Sequence, residues 1–284
     1  NESAEDCLLR ELNEEFGITT RILSYVGDNL HTYKSKKIRL IAYQVEHLSG
    51  DFSLIEHDKI EWVSIDQLSS FQLAPADIPL ISAFKATLSI SSYYQNSAHE
   101  YFHETVSLDM SAQRAKLTKL IKPHSSILDL GCGSGRDAKA FIDQGFQVTA
   151  IDGCTELCRL AEEYIRQPVI NLAFEDLSFT DTFDAVWACA SLLHCPKATI
   201  KGVLSKVFDA LKVGGVLYVS FKEGTSEMVD HRKRFFANFE QAELLALFDD
   251  FPNTQIIESW VETKELRSKQ QTWINVLCRK SVPV

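Results

Sequence analysis

The chain has 284 residues, enough for about two domains, and its 45% hydrophobic and 24% charged residues give an ordinary globular balance. A formal net charge of −10 excludes the broad basic face that a nucleic-acid polymer requires, although it leaves room for a small phosphorylated substrate held by a local Lys/Arg group or a metal. No apolar run approaches the ~18 residues of a membrane helix. The seven cysteines lack C-x-x-C spacing and a neighbouring His cluster, which points to reduced thiols in the cytoplasm.

In chain order, a helix is expected over Ser3–Phe16, with Leu8, Leu12 and Phe16 on one stripe and Gly17 as its stop. The chain opens at Asn1, inside that pattern and without Met, so a fragment of a longer protein is expected. Strand-like runs follow at Arg21–Val26, Ile38–His47 and Ile60–Ser64, and a closing helix at Leu80–Thr87, giving a small α+β unit. The Ser- and Tyr-rich segment Leu88–Ala98 lacks a clear period and is expected to bridge two domains.

Thereafter helix and strand alternate. Helices are expected at Met110–Ile121, Asp137–Gln144, Thr155–Tyr164 and Lys197–Leu211. Strands are expected at Ser126–Leu130, Gln147–Ile151, Val169–Phe174, Phe183–Ala188 and Gly215–Phe221. Such alternation predicts a parallel sheet covered on both faces. Thr254–Glu262 and Gln271–Arg279 read as two strands with no helix between them, so an antiparallel hairpin should close the sheet.

The strongest local signal is SSILDLGCGSGRDAKAF, residues 125–141. An apolar strand runs into Asp129, then Gly131, Gly133 and Gly135, and a helix follows. Glycines there permit a tight turn and a close approach of backbone to ligand. Asp152 ends the next strand, where a carboxylate can accept both hydroxyls of a ribose. A glycine-rich turn by itself is also compatible with a tight strand–helix connection that binds nothing. Asp129 is poorly placed beside a pyrophosphate, which disfavours NAD; it suits a cationic ligand with an amino-acid moiety.

The segment resembles the first motif of class I S-adenosylmethionine-dependent methyltransferases. The resemblance continues through AFEDLSF–TDTFDAVWACASLLH and ALKVGGVLYVSF, with Gly214 and Gly215 at the turn, and covers about two-thirds of the chain. Within the class it is similar to small bacterial enzymes that begin YYxxxAxxYFxxT, here Tyr93-Tyr94 to Thr105. The resemblance implies a Rossmann-like α/β fold with a mostly parallel seven-stranded sheet ending in an antiparallel hairpin. It also implies S-adenosyl-L-methionine as cofactor, held by Asp129, Gly131, Gly133, Gly135 and Asp152. Phe174 and Glu175 or Asp176 would lie by the adenine.

Because the sulfonium already activates the methyl group, positioning and desolvation can carry much of the rate. His194, in SLLHC, is the candidate base or substrate contact, against a hydrogen-bonding role within its own loop. Arg136 and Asp137 are expected to anchor the loop. The run Arg232-Lys233-Arg234 reads as a solvated face or as a contact for an anionic substrate.

At the N-terminus, Glu11, Glu14 and Glu15 are spaced i, i+3, i+4, so their carboxylates share a helix face and repel. Mg²⁺ or Mn²⁺ would relieve that repulsion; a merely solvated acidic face is the alternative. Arg10 to Ile18 resembles the core of the Nudix box, R-E-U-x-E-E-x-G-U, with Glu2 at the earlier glutamate, and the similarity to the MutT branch runs to about Leu88. The resemblance implies that the three glutamates bind metal, that Glu56 is a metal-side or base glutamate, and that Asp77 reads the nucleobase. Lys36 and Lys37 are exposed strand-start residues or nucleotide contacts. The glycine that opens the box would lie upstream of Glu2, so the expectation is a partial Nudix domain over residues 1–88, inactive as given, then a linker and the start of a cap helix at 89–98 and a methyltransferase domain at 99–284.

The reading is therefore a small-molecule methyltransferase fused to a Nudix pyrophosphohydrolase for nucleoside triphosphates, with neither a nucleic-acid polymer nor a membrane as partner. Two rivals stand beside it: a Nudix half that binds nucleotide without cleaving it, and a cofactor sensor that transfers nothing.

Overall fold

The computed structural model describes residues 2–34, 36–54, 57–65, 67–266 and 269–282. It divides into two compact units, Asn1–Lys85 and Ala86–Val284.

In the first unit, helix α1 (Ala4–Phe16) begins where the Ser3 hydroxyl accepts the Asp6 amide, satisfying one of the helix's free donors. It ends at Gly17, whose φ of 71° gives the left-handed stop and whose N–H reaches the Asn13 carbonyl. Strands β1 (Thr19–Tyr33) and β2 (Lys36–Ser49) pair antiparallel from Thr19↔Ser49 to Tyr33↔Lys36. Both are longer than their apolar runs foretold, because a hairpin ladder continues through polar residues once the register is set. The strand expected at Ile60–Ser64 does not form: among the described residues nothing pairs with it, and Ile60 and Trp62 stay exposed.

Helix α2 (Ile78–Thr105) runs the closing helix, the expected linker and the start of the cap helix together in one element. Its only non-helical residue is Ser97. The period missed in the sequence is carried by Tyr94, Ala98, Tyr101 and Thr105, spaced i, i+4, i+7, i+11 on one face. Tyr94, Ala98, Tyr101 and Phe102 pack with Cys154, Leu157 and Leu160.

The second unit continues with α3 (Ser111–Thr118), β3 (Ser126–Leu130), α4 (Arg136–Asp143), β4 (Gln147–Asp152), α5 (Thr155–Ile165), β5 (Val169–Asn171) and β6 (Phe183–Ala188). Then come α6 (Ile200–Ala210), β7 (Leu211–Lys222), a small hairpin β8 (Glu227–Val229) and β9 (Phe235–Ala237), α7 (Gln241–Ala246), β10 (Thr254–Leu266) and β11 (Lys269–Lys280). The sheet order is β10-β11-β7-β6-β3-β4-β5. Strands β7 to β5 are parallel, and β11 runs antiparallel to β7 and to β10.

Alternation sends Leu128, Leu130, Val186, Leu217 and Val219 to one face, against Ile200, Val203, Leu204 and Val207 of α6. Ile127, Ala185, Trp187, Val216 and Tyr218 go to the other, against Leu117 of α3 and Phe141 of α4. Two differences from expectation bear on the site. Strand β5 stops at Asn171, and Phe174–Asp176 is a short 3-10 turn. The β8–β9 hairpin, whose basic run masks its short apolar strands, was not foreseen.

Candidate functional site

The glycine loop joins β3 to α4. The Gly131 and Cys132 amides both donate to the Ile151 carbonyl, at 3.0 and 2.9 Å, which ties the loop to the end of β4. Gly131, Gly133 and Gly135 have φ of 75°, 54° and 74°. A Cβ on Gly131 would lie 2.5 Å from Ser191 Cβ and 3.0 Å from the Phe174 ring; one on Gly135 would lie 2.8 Å from Ile165 Cγ2. Backbone conformation and space both demand glycine at these two positions.

Asp152 receives the Gly133 amide on one carboxylate oxygen and the Cys154 amide on the other, each at 2.9 Å. It remains part-exposed, and its surroundings push its carboxyl above the ordinary range because burial outweighs those two donors. Asp129 is buried, and its Oδ2 has no hydrogen-bond partner among the described residues; neither has Ser191 Oγ, beside Gly131. Burial and the nearby Asp137 carboxylate push the Asp129 carboxyl well up. A buried carboxylate oxygen left without a donor is costly, and a ligand's ammonium or N–H would complete it. An amino-acid-bearing, ribose-bearing cofactor fits these residues. Phe174 packs on Gly131, Glu175 is part-buried, and Asp176 is exposed.

Beside the loop lies a cavity of about 530 Å³. Tyr94 and Tyr101 of α2, Arg136, Ala190, Ser220 and Lys222 at the end of β7, Phe236 of β9 and Trp273 of β11 are among its walls. It therefore opens at the carboxyl ends of the parallel strands, where ligands bind in open α/β sheets.

His194 also lines it, but both ring nitrogens are engaged. Nδ1 lies 2.7 Å from the Phe235 carbonyl and must donate; Nε2 lies 2.8 Å from the Tyr94 hydroxyl and must accept. Burial, the dominant effect, drives its pKa down to about 4. A neutral imidazole so held has no free lone pair for a substrate; it orients Tyr94.

Asp137 is a buried hub: Arg114 and Arg136 pair with it and the Trp187 indole donates to it at 3.0 Å. Burial pushes its carboxyl up, but the two guanidiniums outweigh that and hold it below the usual range. Arg232 pairs with Glu104 and Arg234 with Asp230, while Lys233 between them is exposed. Tyr94 and Tyr101 stood in the Tyr93-to-Thr105 motif without a site role, and Lys222, Phe236 and Trp273 were not singled out in the sequence. The aromatic spacing of α2 was the available signal for the first two.

In the first unit Arg10 stands among the glutamates, pairing with Glu2, Glu11 and Glu14 at 2.8–2.9 Å. Glu15 is turned to His57, at 4.0 Å. Among the described residues, no three His, Cys, Asp or Glu side chains converge as a metal-holding group. Asp77 is half-buried just before α2, and Lys36 and Lys37 are exposed at the start of β2. Glu56 lies outside the described residues.

Residues 127–215 match a methyltransferase-domain family model, and residues 1–84 match a NUDIX-domain model. The chain joins a Nudix domain to a methyltransferase domain. Its Nudix part is 37% identical over 86 residues to the CTP pyrophosphohydrolase of Escherichia coli, which is 30% of this chain and 64% of that protein. The chain thus spans less than two-thirds of that relative. Over 177 residues it is 28% identical to a ubiquinone biosynthesis O-methyltransferase of Xanthomonas campestris, covering 57% of this chain and 69% of the relative. In fold it is similar to the Burkholderia thailandensis 1,6-didemethyltoxoflavin-N1-methyltransferase, solved with 1,6-didemethyltoxoflavin and S-adenosylhomocysteine. That TM-score is 0.58 at 20% identity, over 75% of this chain and 93% of the other. No described helix is long and apolar enough to cross a membrane.

Proposed function

We propose that the methyltransferase domain moves a methyl group from S-adenosylmethionine to a small molecule held in the cavity. The observation that carries this reading is the glycine cradle, with its unpartnered Asp129 oxygen on one side and part-exposed Asp152 on the other. When bound, the cofactor supplies a methyl group already activated by the sulfonium. The chain's residues then bind, orient and exclude water. Asp129 and Ser191 would meet the methionine end, Asp152 the ribose hydroxyls, and Phe174 with Glu175 or Asp176 the adenine side. His194 holds the Tyr94 hydroxyl toward itself, leaving the phenol oxygen's lone pairs to face the cavity as acceptors.

For the Nudix domain we propose nucleotide pyrophosphohydrolysis, with Asp77 at the nucleobase. Glu11, Glu14, Glu15 and Glu56 are the proposed Mg²⁺ or Mn²⁺ side. As arranged, Glu11 and Glu14 face Arg10 rather than a shared site. A cytoplasmic setting belongs to the same reading and is supported by seven free thiols, five of them buried.

Titration calorimetry of the full chain with S-adenosylhomocysteine and with NAD tests the methyltransferase reading. We expect binding of the former alone. Asp152→Ala should weaken it roughly ten- to hundredfold, since a hydrogen bond to a charged group contributes about 1.5–3 kcal/mol. Binding of NAD alone, or unchanged affinity in the variant, overturns the assignment.

A further inference from the structure

Among the described residues five cationic side chains line the cavity, and four have a carboxylate partner. Arg136 faces Asp137, Arg232 faces Glu104, Arg234 faces Asp230, and Lys264 faces Glu262. Lys222 is different: among the described residues no carboxylate lies within ion-pair distance of it. Its ammonium instead sits 3.4 Å from the centre of the Phe236 ring and 6.0 Å from that of Trp273, the residue opposite it across the β7–β11 ladder. Aromatic faces attract a cation, but more weakly than a carboxylate does.

Placement matters as much as pairing. Lys222 is two residues beyond Ser220 on β7, and the two side chains therefore share a sheet face. Ser220 accepts the Ala190 amide at 2.8 Å, and Ala190 adjoins Ser191, which touches the glycine loop. This charge thus lies one step from the cofactor end of the cavity. Phe236 and Trp273 stand against it, and Tyr94 and Tyr101 line the same cavity; such an aromatic lining suits a planar ligand.

Resting on the methyltransferase reading, we propose that Lys222 recognises the methyl acceptor as a planar weak acid, bound as its anion. The acceptor's acidic O–H or ring N–H group would face the ammonium. Its proton leaves to solvent on binding. The oxygen or nitrogen lone pair then forms the new bond to the methyl carbon as the carbon–sulfur bond breaks, and that electron pair stays on sulfur as the neutral thioether. The transfer joins an anion and a cation into two neutral products, a change that a low-dielectric cavity favours. Burial, and next the Arg234 charge, bring Lys222 down to about 8, so it is still an ammonium near neutrality. Of the acids lining the same cavity, Glu104 and Glu262 are held by other cations, as is Asp230 beside Arg234; Asp109 and Glu265 line it too, and neither is within ion-pair distance of Lys222.

The test uses 4-nitrophenol and 7-hydroxycoumarin, whose anions are distinguished optically from their neutral forms, with the full chain and saturating S-adenosylhomocysteine. An opposite charge within hydrogen-bonding reach lowers an acid's pKa by about 1–3 units. The bound probes should therefore titrate at least one unit below their free values. Lys222→Met should abolish that shift and Lys222→Arg should keep it. S-adenosylhomocysteine affinity, measured on each variant, reports folding and the cofactor reading separately. Probes that do not bind, that bind in neutral form, or that shift equally in Lys222→Met overturn the acceptor assignment while leaving cofactor binding intact. Failure of wild-type protein to bind S-adenosylhomocysteine overturns the underlying reading instead.

Discussion

In the unit Ala86–Val284 both sheet faces are covered, and the charged groups that matter are held in the interior: Asp129 and Asp137 are buried, and Arg114 and Arg136 are nearly so. In the unit Asn1–Lys85 helix α1 buries no residue, and Leu30 and Trp62 are 66% and 80% exposed. Its charged groups pair with one another on the surface. The two units thus position chemistry by different means. Packing fixes the side chains around the glycine loop before any ligand arrives, at the cost of leaving polar atoms unpartnered. On α1, solvated ion pairs set the arrangement, and a competing charge can rearrange it.

The largest effect should come from the interior hub. Asp137→Asn leaves the Arg114 and Arg136 guanidiniums buried beside a neutral amide. Breaking a buried pair in this way costs about 3–5 kcal/mol, because a charge remains without compensation. Urea unfolding followed by Trp fluorescence should show this loss. A loss under 1 kcal/mol would mean that water reaches the hub, and the contrast between the units would weaken.

His194 gives a smaller, pH-dependent effect. Its pKa falls from the ordinary 6.5 to about 4 in the folded chain. The unfolded chain therefore binds a proton more readily, so the contribution to stability is fully present above pH 6.5 and is lost as pH falls through that window toward 4. At about 1.4 kcal/mol per unit, roughly 3 kcal/mol is at stake. His194→Gln, which cannot titrate, should flatten the profile between those limits. An unchanged acid limb would assign the loss to other groups.

How far these features were legible in the sequence follows from the range of the interactions that make them. The β3–glycine–α4 turn and Asp152 were legible because each depends on neighbours in sequence: strand pattern, positive-φ glycines, and a helix start. The hairpin ending of the sheet was legible for the same reason. The cavity was not. Lys222 and Trp273 meet across an antiparallel pair some fifty residues apart in sequence, and Phe236 arrives on a hairpin that its basic neighbours concealed. His194 was noticed as a polar residue in the right loop, but a base and a hydrogen-bonded spacer look identical until Tyr94 and Phe235 are placed beside it. The glutamate helix shows the converse: the i, i+3, i+4 spacing gave a shared face, yet Arg10 on that face took up two of the three expected carboxylates.

That last arrangement yields the smallest expected effect and the sharpest contrast. Arg10 carries three carboxylates, as many partners as Asp137 has, yet its side chain is 41% exposed. In water the attraction of each pair is offset by solvation already available to the separated ions and is screened within about 8 Å at physiological ionic strength. Arg10→Ala should therefore leave the urea midpoint at that ionic strength unchanged within error. At low salt a small loss should appear, since Glu2, Glu11 and Glu14 then repel one another without their shared cation, and it should vanish as salt is added. Circular dichroism of the full chain at two salt concentrations reads both arms. A salt-independent loss comparable to that of Asp137→Asn would show that Arg10 holds α1 in place by more than surface charge, and the distinction between packed and solvated positioning would fail at the residue chosen to display it.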